Sequence, residues 1–108
     1  MPKQKIYTEE LAKLTEIFSE VDPNKAKLVA GLIEDAAFLK AENYILKQTI
    51  TVTGMVKIHP QYPEMQKSTE AAKQYLKNVN SYAVVVKALN GVLAKGVIEE
   101  DEELDEFE

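Results

Sequence analysis

Pro23-Asn-Lys-Ala-Lys-Leu-Val-Ala-Gly-Leu-Ile-Glu-Asp-Ala-Ala-Phe-Leu-Lys-Ala-Glu-Asn-Tyr-Ile-Leu-Lys-Gln48 is the stretch from which the fold follows. Asp22-Pro23 in front of it reads as a helix start, with Asp as cap and Pro at the first helical position. Leu28, Leu32, Leu39 and Leu46 line one side of the helix. Val29, Ile33, Ala36, Ala37 and Tyr44 widen that side to about half the circumference at 100° per residue. Phe38 and Ile45 fall on the remaining side, among Lys27, Glu34 and Glu42. A helix over 23–48 is about 39 Å long at 1.5 Å per residue, and its apolar surface is wider than one partner helix needs.

Outward from this helix, the flanking segments are shorter or mixed. Before it, Leu11, Leu14, Phe18 and Val21 recur at helical spacing. Thr8 as cap and Glu9-Glu10 in the first turn predict a short helix over 8–21. After it, residues 49–59 alternate Ile50 and Val52 with threonines, offer a turn at Thr53-Gly54, and alternate again at Val56 and Ile58. This reads as a hairpin-like loop over 49–62, ended by Pro60 and Pro63. His59, at the end of that segment, reads as a turn residue rather than a ligand or base.

A second long helix is predicted over 63–95. Met65, Ala72, Tyr75, Leu76, Val79, Tyr82, Ala83, Val86 and Leu93 form its stripe. Beyond Tyr82 it becomes apolar nearly all round, through Val84, Val85, Ala88, Leu89 and Val92. Such a helix is expected to be covered on every side. Asn90-Gly91 and Gly96 are its candidate ends. The expected fold is therefore mainly α. A short N-terminal helix precedes two long antiparallel helices joined by a hairpin-like loop, in one domain over residues 1–98.

The last ten residues differ in kind. Of 108 residues, 18 are acidic and 13 basic, for a net charge of −5. Residues 99–108 hold eight of the acids, so residues 1–98 carry thirteen lysines against ten acids, a net +3. This run predicts a disordered acidic tail. Leu104 and Phe107, set among its carboxylates, suit docking to a basic groove on a partner.

Composition excludes several classes. With 45% hydrophobic and 29% charged residues the chain is globular in type. No 18-residue apolar run or signal-like start occurs, and cysteine is absent, so a cytoplasmic protein is expected, with no membrane segment, disulfide or thiolate metal site. One histidine, no cysteine and glycines only at 31, 54, 91 and 96 supply no catalytic triad or phosphate loop. Glu34, Asp35 and Glu42 read as a solvated face rather than a metal site. No enzyme activity, cofactor or small-molecule substrate is expected.

Two surfaces remain as candidates. Lys3, Lys5, Lys13, Lys25 and Lys27 cluster in the N-terminal third. Lys25 and Lys27 stand where free helix amides attract anions, a possible edge for phosphate contacts. All thirteen basic residues are lysine; lysine grips phosphate as a point charge, without the bidentate readout arginine provides. The surplus apolar surface at Phe38, Ile45, Tyr82, Val84, Val85, Leu89 and Val92 is expected to be an interface between copies of the chain.

The segment Lys27-Leu-Val-Ala-Gly-Leu-Ile-Glu-Asp-Ala-Ala-Phe-Leu-Lys40 resembles the first long helix of phage terminase small subunits from Gram-positive hosts. Residues Pro63 to Leu89, with their Tyr75 and Tyr82, resemble the second. Together with the intervening loop, the likeness spans roughly residues 8–95. It implies a DNA-packaging component of the bacterial host's cytoplasm. Such a protein assembles into a homo-oligomeric ring, binds double-stranded viral DNA and docks to the large ATPase and nuclease subunit. Read from the residues without that likeness, the chain also suits a helical protein–protein adaptor or an antitoxin-like regulator with no nucleic-acid role.

Overall fold

The computed structural model describes residues 2–105, with side chains over residues 2–94. In chain order it consists of α1 (Pro2–Ile17), α2 (Pro23–Thr53), β1 (Val56–Ile58), β2 (Gln66–Ser68) and α3 (Glu70–Asp105). The expected class and order of elements are observed, while several boundaries move.

α1 starts at Pro2 rather than Thr8. Proline is suited to the first helical turn, and Lys3, Gln4 and Lys5 are good helix formers. Thr8 therefore sits inside the helix and donates its hydroxyl to the Gln4 carbonyl at 2.9 Å. At the other end the chain tightens into a turn, with Val21 N–H donating to the Phe18 carbonyl at 3.3 Å. The start of α2 is as expected: Pro23 follows the cap, and the Asp22 carboxylate accepts from the Asn24 amide at 2.8 Å.

The largest correction concerns residues 49–53, expected as a strand and found as the last turns of α2. Thr49, Thr51 and Thr53 each donate a hydroxyl hydrogen bond to the carbonyl four residues back, at 3.1, 2.8 and 3.1 Å. These bonds satisfy the hydroxyls within the helix, although threonine is a weak helix former. Gly54, with φ 77°, ends α2, and its amide donates to the Ile50 carbonyl at 2.7 Å. A side chain there would meet the left-handed steric penalty.

The hairpin consequently shifts along the chain. β1 pairs with β2 in the register Val56↔Ser68, Lys57↔Lys67 and Ile58↔Gln66. Pro60 and Pro63 lie in the loop between the strands, where no ladder amide is required. Within that loop His59 Nδ1 accepts from the amides of Gln61 and Tyr62, at 3.1 and 3.2 Å.

α3 starts at Glu70, not Pro63. Thr69 joins the two long helices. Its hydroxyl accepts from the Ala72 amide at 3.2 Å and donates to the Gly54 carbonyl at 3.0 Å. The backbone of α3 then runs through Gly91 and Gly96 to Asp105. The backbone of α3 covers residues 99–105 as well, where no proline intervenes and glutamate is a good helix former. The side chains of Leu104 and Phe107 lie outside the described residues.

α2 and α3 form an antiparallel pair, and α1 packs on α2. Phe18, Val29, Ile33, Ala36 and Leu89 make the core cluster, with Leu11, Leu14, Tyr82, Val85 and Val92 packed against it. At the other end of the pair, Lys47 Nζ stands 6.0 Å from the Tyr75 ring centre, a cation–π distance. Four of the eight buried apolar residues, Ala36, Ala37, Ala41 and Ala72, are alanines, so the seam is close but contributes little apolar volume. The molecule measures 70 × 36 × 16 Å, with a radius of gyration of 19.5 Å. A compact chain of this length would have about 13 Å.

Leu89 is 3% exposed and Val84 is 69% exposed, although they lie five residues apart on α3. Leu89→Ala is therefore expected to cost about 2–5 kcal/mol, and Val84→Ala no more than about 0.5 kcal/mol. Urea denaturation should show a large fall in midpoint for the first and almost none for the second. Equal shifts would mean that the core has been misplaced.

Candidate interaction surface

The five candidate DNA-binding lysines are not brought to one face. Lys3 is ion-paired to Glu42 of α2. Lys5 pairs with Glu9 and Lys13 with Glu10, each at 3.9 Å on α1 itself. Lys25 borders a recess formed with Leu28, Val29 and Val92; Lys27 is exposed. Because Lys3 lies beside Glu42, it is about 25 Å along α2 from Lys25, at 1.5 Å per residue. The free amides at the start of α2 were expected to favour an anion, but one is already taken by the Asp22 carboxylate.

The expected interface residues also divide. Leu89 belongs to the chain's own core, and Tyr82, Val85 and Val92 pack against that core. Ile45 is half-buried. Phe38 and Val84 are exposed. Between residues 82 and 93, Leu89 is buried, Tyr82, Val85, Val86, Val92 and Leu93 are half-buried, and Ala83, Val84 and Ala88 are exposed.

Apolar exposure concentrates at the opposite end. Among the described residues thirteen large hydrophobic side chains are exposed, and seven fall between residues 52 and 76: Val52, Met55, Val56, Ile58, Tyr62, Met65 and Leu76. The sequence reading placed Val52, Met55, Val56, Ile58 and Tyr62 in a loop and Met65 and Leu76 on a helix stripe, without anticipating their exposure. Two methionines and a tyrosine in a segment too short for a core were the available sign.

A groove of about 410 Å³ opens where α1 meets the α2–α3 pair. Glu9 and Glu10 face Lys40 and Lys47 across it, with Tyr82 at the α3 wall. Two carboxylates against two ammonium groups leave it balanced in charge, which disfavours a phosphate. Asn43 also borders it, and the buried Asn43 Oδ1 accepts no hydrogen bond among the described residues. An orphaned buried acceptor costs about 1–3 kcal/mol. Burial, together with the nearby Glu10 carboxylate, raises the pKa of Tyr82 above its ordinary value of 10.0.

No family model, no curated protein and no solved structure matches this chain. Among the described residues no helix is long and apolar enough to cross a membrane.

The raised pKa of Tyr82 has a definite sign for stability. The folded state holds the phenol proton more tightly than the unfolded state, so its contribution is complete below pH 10 and is lost as pH rises through the folded value. Tyr82→Phe lacks this loss. Thermal midpoints measured from about pH 9 to 11 should fall more steeply for the natural chain than for the variant. Parallel curves would rule out the Tyr82 contribution.

Proposed function

We propose that this chain is a non-catalytic, self-assembling helical adaptor of the terminase small-subunit type, which oligomerises, binds double-stranded viral DNA and docks to a large ATPase and nuclease subunit. The observation that carries the reading is the surface the chain leaves uncovered. Its accessible area is 8269 Å², against roughly 6,000 Å² for a compact monomer of this mass. A standard contact takes about 800 Å² from each partner, so the surplus accommodates two contacts per copy, as a closed ring requires. The likeness of residues 8–95 to terminase small subunits supplies the DNA and motor roles.

In this reading DNA contact comes from repetition. A weak lysine patch displayed around a ring axis gains through multivalency what one copy lacks. A second reading, a protein–protein adaptor or antitoxin-like regulator with no nucleic-acid role, is favoured by one observation. Lys3, Lys5 and Lys13 are already matched by carboxylates.

Salt separates the two. If six or more phosphates are contacted, affinity for duplex DNA should fall ~10³-fold or more between about 50 and 200 mM salt. Lys25→Glu with Lys27→Glu should weaken binding further and flatten the slope. Light scattering should report a closed oligomer. A multimer with no DNA affinity at low salt would leave the adaptor reading; a monomer at every concentration would end both.

A further inference from the structure

The hairpin carries a charge pattern that its own fold does not explain. Lys57 and Lys67 are direct partners across the two strands. Like charges placed opposite one another destabilise a hairpin. Neither lysine has an ion pair among the described residues. The ladder continues on both sides of them, through His59 N–H to the Met65 carbonyl and Thr69 N–H to the Met55 carbonyl, each 3.0 Å. Side chains alternate between faces along each strand, so Met55 and Met65 lie on the same face as the two lysines. They are 46% and 58% exposed, and His59, paired with Met65 in the ladder, has its ring centre 5.1 Å from that of the exposed Tyr62. The face therefore offers two unpaired ammonium groups flanked by soft, adaptable apolar side chains.

The chain contains a segment of matching chemistry. Residues 99–108, Glu-Glu-Asp-Glu-Glu-Leu-Asp-Glu-Phe-Glu, combine eight carboxylates with Leu104 and Phe107. That segment cannot reach the hairpin of its own molecule. α3 begins next to β2 and runs for 36 residues, so Asp105 lies about 54 Å further along the helix axis. The three residues beyond Asp105 span at most about 11 Å even fully extended.

We infer that the acidic C-terminal segment of one copy docks on the Lys57–Lys67 face of the hairpin of a second copy, carboxylates on the ammonium groups and Leu104 and Phe107 on Met55, Met65 and Tyr62. The contact is head-to-tail, joining different surfaces, so each copy gives one end and receives one. Such a contact propagates and closes into a ring when the rotation between copies allows it. It rests on the proposed reading of the chain as self-assembling and specifies where the copies join.

A charge exchange in the full-length chain tests it. Lys57→Glu with Lys67→Glu repeats a like-charge pairing, so the hairpin itself meets no new penalty, while the receiving face turns acidic. Glu99→Lys, Glu100→Lys, Glu102→Lys, Glu103→Lys and Glu106→Lys leave three acids against five lysines in the segment, a net +2. By light scattering at low salt, each set of changes is expected to weaken association at least ~10-fold. All seven changes in one chain, or the two variants mixed, are expected to restore it. Met55→Ser with Met65→Ser should weaken association without responding to salt. Circular dichroism checks the fold, and Lys57→Gln with Lys67→Gln serves if the glutamate variant loses helix. Oligomers whose mass ignores all of these changes would overturn the head-to-tail contact and leave self-assembly standing. A natural chain that is monomeric throughout would overturn both, and weakening without restoration in the exchanged chain would overturn the pairing.

Discussion

Two long helices laid side by side share one seam, and what that seam can bury governs the rest of this molecule. α2 and α3 meet through small and medium side chains, Val29, Ile33, Ala36, Val85 and Leu89 among them. Alanine lets the backbones approach, but each alanine brings little area out of water, and burial free energy scales with that area at about 25 cal/mol per Å². α1 deepens the core only where it lies, through Leu11, Leu14 and Phe18. The end near the hairpin has no third helix above it. Val52, Met55, Ile58 and Leu76 are exposed for that reason.

The same constraint arranges the charges. α1 is held along α2 by the Lys3–Glu42 pair as well as by its apolar stripe. Exposed ion pairs contribute little to stability, yet they determine which lysines remain available. Those of α1 are largely matched, whereas Lys57 and Lys67 project from a hairpin with no acid opposite. An elongated molecule with a basic, methionine-flanked hairpin at one end and a carboxylate-rich segment at the other is polar along its length. A contact between those two ends joins different surfaces, and it closes either as an antiparallel two-fold pair or as a larger ring.

Element boundaries show where sequence reading works and where it stops. Asp22-Pro23 marked the start of α2 because capping is local, involving a carboxylate two residues from the amide it accepts from. The alternation of Ile50 and Val52 with threonine was misleading. Its period of two belongs to a strand, but continuity with a long preceding helix, in which each new residue adds a hydrogen bond, kept the backbone helical, with the threonine hydroxyls bonded back along it. Pro63 was a sound breaker read one element too late, since the chain needed six more residues to form β2 and reach Thr69.

For the candidate surfaces the division is similar. Helical class, the two long amphipathic helices and the acidic C-terminal run were all legible in the order of residues, because each depends on neighbours within a turn or two. Which apolar residues are covered was not, because that depends on which helices meet and for how long. Leu89 and Val84 are equally apolar in sequence; one faces α2 and the other faces outward. Lys57 and Lys67 lie ten positions apart and became partners only when the strand register brought them level. Sequence specified the helices and their apolar stripes; tertiary packing, acting over distances no local pattern records, decided which parts of those stripes stayed open to a partner.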